Sequence, residues 1–130
     1  VEERPLILLV EDQEDNQQLL AFILESLGFS YVIAANGAIA LELAQQQPLD
    51  LILLDIAIPE IDGLEVVRQL KADSKTSTIP VVAVTAMAMV GDRDRILAAG
   101  FDAYVSKPYI LDDIEEITTR YLGIPDAIKY

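Results

Sequence analysis

The sequence predicts an α/β fold, a parallel sheet covered by helices on both faces. Short unbroken apolar runs alternate with stretches of helical periodicity, each run ends abruptly at a polar residue, and the connections are short. An unbroken apolar run suits a strand buried on both faces. Its repeated alternation with helices gives successive βα units joined by right-handed crossovers.

The first run is Leu6-Ile7-Leu8-Leu9-Val10, stopped by Glu11-Asp12. A helix follows, marked by Leu19, Leu20, Ile23, Leu24 and Leu27 and closed by Gly28, the residue a helix C-terminus prefers. Ser30 to Ala34 reads as a second strand. Gly37 to Gln46 reads as a second helix, with Ile39, Leu41 and Leu43 among its apolar positions and Pro48 just beyond. Leu51-Ile52-Leu53-Leu54 is the third strand, stopped by Asp55. Leu64, Val67 and Leu70 mark a third helix, and Ser74 to Thr78 a polar loop. Pro80 to Val84 is the fourth strand, stopped by Thr85, and Asp92 to Ala99 a short helix ending at Gly100. Ala103 to Ser106 is the fifth strand, stopped by Lys107-Pro108, and Leu111 to Leu122 the last helix.

A length of 130 residues suits one domain, 1–130 with a core over about 6–122, and no repeat or linker interrupts it. A hydrophobic fraction of 52% with 24% charged residues argues against disorder. The chain has no cysteine and no histidine, which excludes disulfides, thiolate catalysis, Cys-based zinc sites and an imidazole base. Chemistry here falls to carboxylates, hydroxyls, lysine, arginine and backbone groups, and any metal to a hard, oxygen-loving ion. A net charge of −13 with only nine scattered basic residues rules against nucleic-acid binding; the acid excess alone also serves solubility. No apolar run approaches the roughly 20 residues of a membrane span. Glu2, Glu3 and Arg4 stand where a secretory signal has its basic region, so none is expected.

Parallel strands point one way, so Glu11, Asp12, Asp55, Thr85 and Lys107 should share the carboxyl edge of the sheet, where open α/β sheets bind ligands. Singly, each has a plain reading: Glu11 and Asp12 as acids opposing a helix dipole, Asp55 as a loop-start residue, Thr85 as a strand-end cap, Lys107 as a solvated side chain. Together they make a cluster of three carboxylates, a hydroxyl and an ammonium. Mutually repelling acids favour a divalent cation, and Mg²⁺, which works beside phosphates, suits them best. Lys107 and Thr85 suit phosphate oxygens. An Asp carboxylate beside Mg²⁺ is a competent nucleophile toward phosphorus, with catalysis resting on positioning and charge neutralisation.

With these residues in place, the chain resembles the receiver domain of two-component response regulators, in its chemotaxis-regulator-like form, over about Leu6 to Leu122. The resemblance is carried by Glu11-Asp12, Leu53-Leu54-Asp55, Pro59 with Gly63, Val84-Thr85-Ala86 and Lys107-Pro108. It implies the flavodoxin-like (βα)5 fold with strand order 2-1-3-4-5. It implies that Asp55 accepts a phosphoryl group from a histidine kinase or histidine phosphotransfer protein. Asp12, the Asp55 carboxylate and the Ala57 carbonyl would bind Mg²⁺, with Glu11 acting mainly through water. Lys107 would pair with the phosphoryl oxygens, Thr85 would move to bond them, and Tyr104 would rotate into the vacated space. That movement would switch a surface on the fourth helix, fifth strand and fifth helix that meets a downstream protein. The family carries a cis peptide at Lys107-Pro108. A cytoplasmic setting without nucleic-acid or membrane contact follows, as does a phosphoryl acceptor rather than a turnover enzyme.

The departures from the family are mild. Ile58 stands where a methionine is common, and Ala57 and Met87 where polar groups often flank the attacking water, which implies slow self-dephosphorylation. Met87 to Gly100 resembles receivers of hybrid histidine kinases and single-domain regulators. A Mg²⁺ phosphohydrolase using Asp55 is disfavoured because position 57 is Ala, where such enzymes place a second Asp. A docking-only receiver is disfavoured by the intact Asp12, Asp55, Thr85 and Lys107. A flavin or nucleotide binder would need a Gly-rich phosphate loop.

Overall fold

In the computed structural model, which describes residues 4–58, 61–86, 91–109 and 111–123, the elements alternate without exception. They are β1 (Leu6–Val10), α1 (Glu14–Ser26), β2 (Ser30–Ala34), α2 (Gly37–Gln46), β3 (Leu51–Leu54), α3 (Gly63–Ala72), β4 (Val81–Thr85), α4 (Asp92–Ala98), β5 (Ala103–Ser106) and α5 (Leu111–Leu122). The five strands form one parallel sheet in the order β2-β1-β3-β4-β5, as the resemblance implied. Pro59 and Met87 lie outside the described residues, as do Glu2 and Glu3.

The apolar runs are continuous because successive side chains enter two different cores. Leu8, Val10, Ile52, Leu54, Val81 and Ala83 pack with α2, α3 and α4 on one face. Ile7, Leu9, Leu51, Leu53, Val82 and Val84 pack with α1 and α5 on the other. Each fully buried Leu or Ile contributes about 1.5–3 kcal/mol relative to exposure, so a polar residue within a run would be costly and the polar groups gather at its end.

Three boundaries and two faces differ from the sequence reading. β4 begins at Val81, because Pro80 has no N–H and enters only through its carbonyl, which accepts from Ile52 N–H at 3.0 Å. Thr85 is the last residue of β4 rather than the residue after it. α4 ends at Ala98, with Ala99 as its C-cap. In α2 the buried positions are Gly37, Ala40 and Ala44, while Ile39 is exposed and Leu41 and Leu43 are half-buried. Small residues face inward there because α2 closes tightly on its neighbours: a Cβ on Gly37 would collide with the Ile61 carbonyl and with Val66. In α1, Leu19 is exposed although its neighbours Leu20, Ile23 and Leu24 are buried.

Candidate functional site

The register of the sheet places the polar cluster. Val10 pairs with Leu54, so Glu11 and Asp55, one residue on, stand side by side where β1 and β3 end. Asp55 N–H donates to the Val10 carbonyl and Glu11 N–H to the Ala34 carbonyl, both at 3.0 Å, which holds the two backbones in sheet geometry past the strand ends. On the other side Thr85 pairs with Ser106, and Lys107 N–H donates to the Thr85 carbonyl at 2.8 Å. The sheet edge therefore aims Glu11, Asp55 and Lys107 at one point.

The Lys107 ammonium donates to Asp55 Oδ2 at 2.8 Å and to Glu11 Oε1 at 3.1 Å. Burial pulls its pKa down, but the bonds and charges of Asp55, and then Glu11, outweigh that and hold it above the ordinary lysine value. Glu11 is 1% exposed and Asp55 6% exposed, so neither carboxylate meets these demands through bulk water. The second oxygen of each is committed as well. Glu11 Oε2 accepts from Gln13 N–H at 2.9 Å, and Asp55 Oδ1 accepts from Ala57 N–H at 3.0 Å. Gln17 Nε2 also donates to the Glu11 carbonyl at 2.7 Å, tying the first turn of α1 to the site.

The loop after Asp55 is fixed by a close backbone approach. Gly63 N–H donates to the Ile56 carbonyl at 2.9 Å. A Cβ at Gly63 would stand 2.6 Å from Ile56 Cα and 2.9 Å from the Asp55 carbonyl oxygen. Only glycine lets the start of α3 close on the backbone that carries Asp55. Asp62 caps that helix, its Oδ1 accepting from Glu65 N–H at 3.0 Å.

Glu11, Asp12 and Asp55 can each offer one carboxylate oxygen with all three within 4.8 Å of one another. Two unit charges at about 4 Å repel by about 4 kcal/mol at an effective dielectric of about 20, and one ammonium cannot offset three carboxylates. An all-oxygen donor set with surplus negative charge fits a hard divalent cation. Asp12 is the exposed member of the three, open to solvent.

Of the residues expected at the site, Glu11, Asp12, Asp55 and Lys107 converge, and Ala57 is joined to them through its N–H. Thr85 is buried at the end of β4 beside them. Tyr104 is not at the cluster. It lies opposite Ala83 on β5, half-buried against the core under α2–α4. It also lines an outer cleft with Ser106, Pro108, Asp113, Glu116 and Arg120. The Lys107-Pro108 peptide is cis. Sequence reasoning missed Tyr109, whose phenol oxygen is buried and whose ring lines a cleft with Lys107. The available signal was an aromatic ring with a polar tip two residues past the strand-end lysine.

Comparison with known proteins agrees with this geometry. Residues 7–119 match the family model described as the response regulator receiver domain. The polar-differentiation response regulator DivK of Brucella anthropi is 44% identical over 117 residues, covering 90% of this chain and 95% of that protein. A receiver domain of a sensor histidine kinase from Pseudomonas aeruginosa PAO1, with magnesium coordinated in its active-site cleft, superposes with a TM-score of 0.86 at 36% identity. That match covers 93% of this chain and 99% of the other. The receiver domain of the Saccharomyces cerevisiae response regulator Ssk1, seen in complex with the histidine phosphotransfer protein Ypd1, is similar with a TM-score of 0.85 at 27% identity. It covers 93% of this chain and 90% of the other.

Proposed function

The chain belongs to the response regulator receiver domain family, and on that premise we propose that it is a phosphoacceptor switch, taking a phosphoryl group onto Asp55 from a phosphohistidine. The observation that carries this reading is the Asp55 carboxylate, held by Lys107 at 2.8 Å inside a three-carboxylate cluster at the carboxyl edge of the sheet. Receivers partner with histidine phosphotransfer proteins, as the Ssk1–Ypd1 complex illustrates; the donor proposed here is such a protein or a histidine kinase.

An Asp55 oxygen attacks phosphorus as the P–N bond of phosphohistidine breaks. The imidazole nitrogen keeps the electron pair and takes up a proton, and the product is an aspartyl phosphate. Asp12, Asp55 and the Ala57 carbonyl would hold Mg²⁺, with Glu11 acting through water; the magnesium in the cleft of the Pseudomonas receiver and the three convergent carboxylates here support an ion at this edge. The ion would neutralise charge on the carboxylates and the transferred phosphoryl oxygens. Lys107 gives its ammonium to a phosphoryl oxygen, and the Thr85 hydroxyl donates to another. Tyr104, placed between core and outer cleft, follows inward and changes the α4–β5–α5 surface presented to a downstream protein. The phosphoryl group stays on the chain as a signal, so the domain is an acceptor rather than a turnover enzyme, and its proposed setting is cytoplasmic. Either a stand-alone regulator or a hybrid-kinase domain accommodates this reading.

The test is to charge the protein with phosphoramidate, a small P–N donor, in the presence of Mg²⁺ and to trap the product with borohydride. Reduction of an aspartyl phosphate leaves homoserine, and peptide mass mapping should place it at position 55. Homoserine at another carboxylate, or none, would contradict the proposal.

A further inference from the structure

Each polar atom of Glu11 is engaged. Its N–H donates to the Ala34 carbonyl at 3.0 Å, Oε1 accepts from Lys107 at 3.1 Å and Oε2 from Gln13 N–H at 2.9 Å. The remaining atom, the backbone carbonyl oxygen, accepts from Gln17 Nε2 at 2.7 Å, the shortest of the four. Asp12, the next residue, is the opposite case. It is exposed, and among the described residues no hydrogen bond holds its carboxylate. A side chain without partners is aimed by its backbone. The Glu11 carbonyl and the Asp12 N–H belong to one planar peptide unit, so a bond that fixes the carbonyl also fixes the direction in which Asp12 leaves the strand end.

Gln17 is itself anchored. Its N–H donates to the Gln13 carbonyl at 2.9 Å, and α1 is seated on the sheet through Leu20, Ile23 and Leu24. The N-cap residue, Gln13, gives no side-chain bond to the helix start. The Gln17 side chain, one turn further on, therefore carries the position of a packed helix to the peptide that leads into the acidic cluster. Its plain alternative is an amide that satisfies a strand-end carbonyl and steadies α1.

We propose that Gln17 is a positioning residue of the divalent-cation site, its amide clamping the Glu11–Asp12 peptide and so presetting the Asp12 carboxylate for a small ion. The inference rests on the phosphoacceptor reading, in which Asp12 binds Mg²⁺ directly, and deepens it. Gln17 is neutral, so it acts on fit rather than on charge. Mg²⁺ demands near-ideal octahedral geometry, whereas Ca²⁺ accepts looser arrangements of oxygen ligands. A clamp that sharpens geometry favours the smaller ion and leaves the pull of three carboxylates on any divalent cation unchanged.

The test uses two variants. Gln17→Met removes the donor at similar size with another good helix former. Gln18→Met, which loses only the exposed bond to Glu14, is the control. Amide NMR titrations with Mg²⁺ and, separately, Ca²⁺ measure affinity and show in the same spectra that each chain is folded. Gln17→Met should bind Mg²⁺ about tenfold more weakly than the parent, the low end for groups that orient a metal ligand. Its Ca²⁺ affinity should stay close to that of the parent, and Gln18→Met should match the parent for both ions. Equal weakening toward both ions would overturn the proposal and leave Gln17 the steadying of α1 alone. An equal loss in Gln18→Met would overturn it too. A parent that binds no Mg²⁺ defeats the metal role itself and this inference with it, whereas a Gln17→Met that matches a Mg²⁺-binding parent sinks this inference alone.

Discussion

Asp12 and Glu11 share a place in sequence but not in physics. Glu11 is sealed between Lys107 and the start of α1, whereas Asp12 is exposed and adds a third negative charge within 4.8 Å of two others. Asp12→Asn should therefore relieve repulsion, raising the stability of the Mg²⁺-free chain by about 1 kcal/mol and its melting temperature by a few degrees. It should also abolish the stabilisation that added Mg²⁺ gives the parent. Thermal unfolding with and without Mg²⁺ measures both effects. A fall in melting temperature would mean that Asp12 acts chiefly as an acid opposing the α1 dipole, the plain alternative the sequence left open. The convergence of Asp55 and Lys107 was legible because each directly follows a strand of the parallel sheet. Tyr109 was not, because nothing in a Lys-Pro-Tyr string says that the hydroxyl is buried without a partner.

Among the elements, α2 and α3 are tied at their far ends by Gln45 Nε2 donating to Asp73 Oδ2 at 2.6 Å. Asp73 also accepts from Lys75 N–H at 2.9 Å. These bonds, the Lys75 backbone contact first and Gln45 second, outweigh desolvation and hold the Asp73 carboxyl below its ordinary pKa. A carboxyl whose folded pKa is depressed contributes stability above its unfolded pKa and loses it as pH falls through the folded value. The window thus lies below about pH 3.9, the unperturbed Asp value. Carboxyl-carbon NMR should find the Asp73 midpoint below that of an exposed Asp, and Gln45→Ala should move it upward. A midpoint that does not respond to the substitution would remove Gln45 as a cause. The helices themselves were readable from their periodicity, but the buried face of α2 was not. Alanine and glycine carry little hydrophobic signal, and their burial follows from how closely Ile61 and Val66 approach. Likewise Leu19 satisfies the α1 pattern yet stands exposed, because a pattern three to four residues wide exceeds the stripe the sheet covers.

Across the whole molecule, the strand order required the family resemblance, since apolar runs say that strands are buried but not which are neighbours. The gathering of strand-end residues needed only the parallel direction of the sheet. The sequence signal and the structure agree most closely at that edge, where Glu11, Asp55 and Lys107 meet through hydrogen bonds spanning up to 96 positions of chain. A cluster assembled from β1, β3 and β5 is intact only when the sheet is intact, which makes its chemistry a report on the entire fold. The central claim is that this edge turns a carboxylate into a phosphoryl acceptor with help from a divalent cation. Intact-mass measurement after incubation with acetyl phosphate, with and without Mg²⁺, tests it most directly on the parent and on Asp55→Asn. The account predicts a single phosphoryl adduct that requires Mg²⁺ and is absent from the variant. An adduct formed equally by Asp55→Asn, or no adduct on the parent with ample donor and metal, would contradict it.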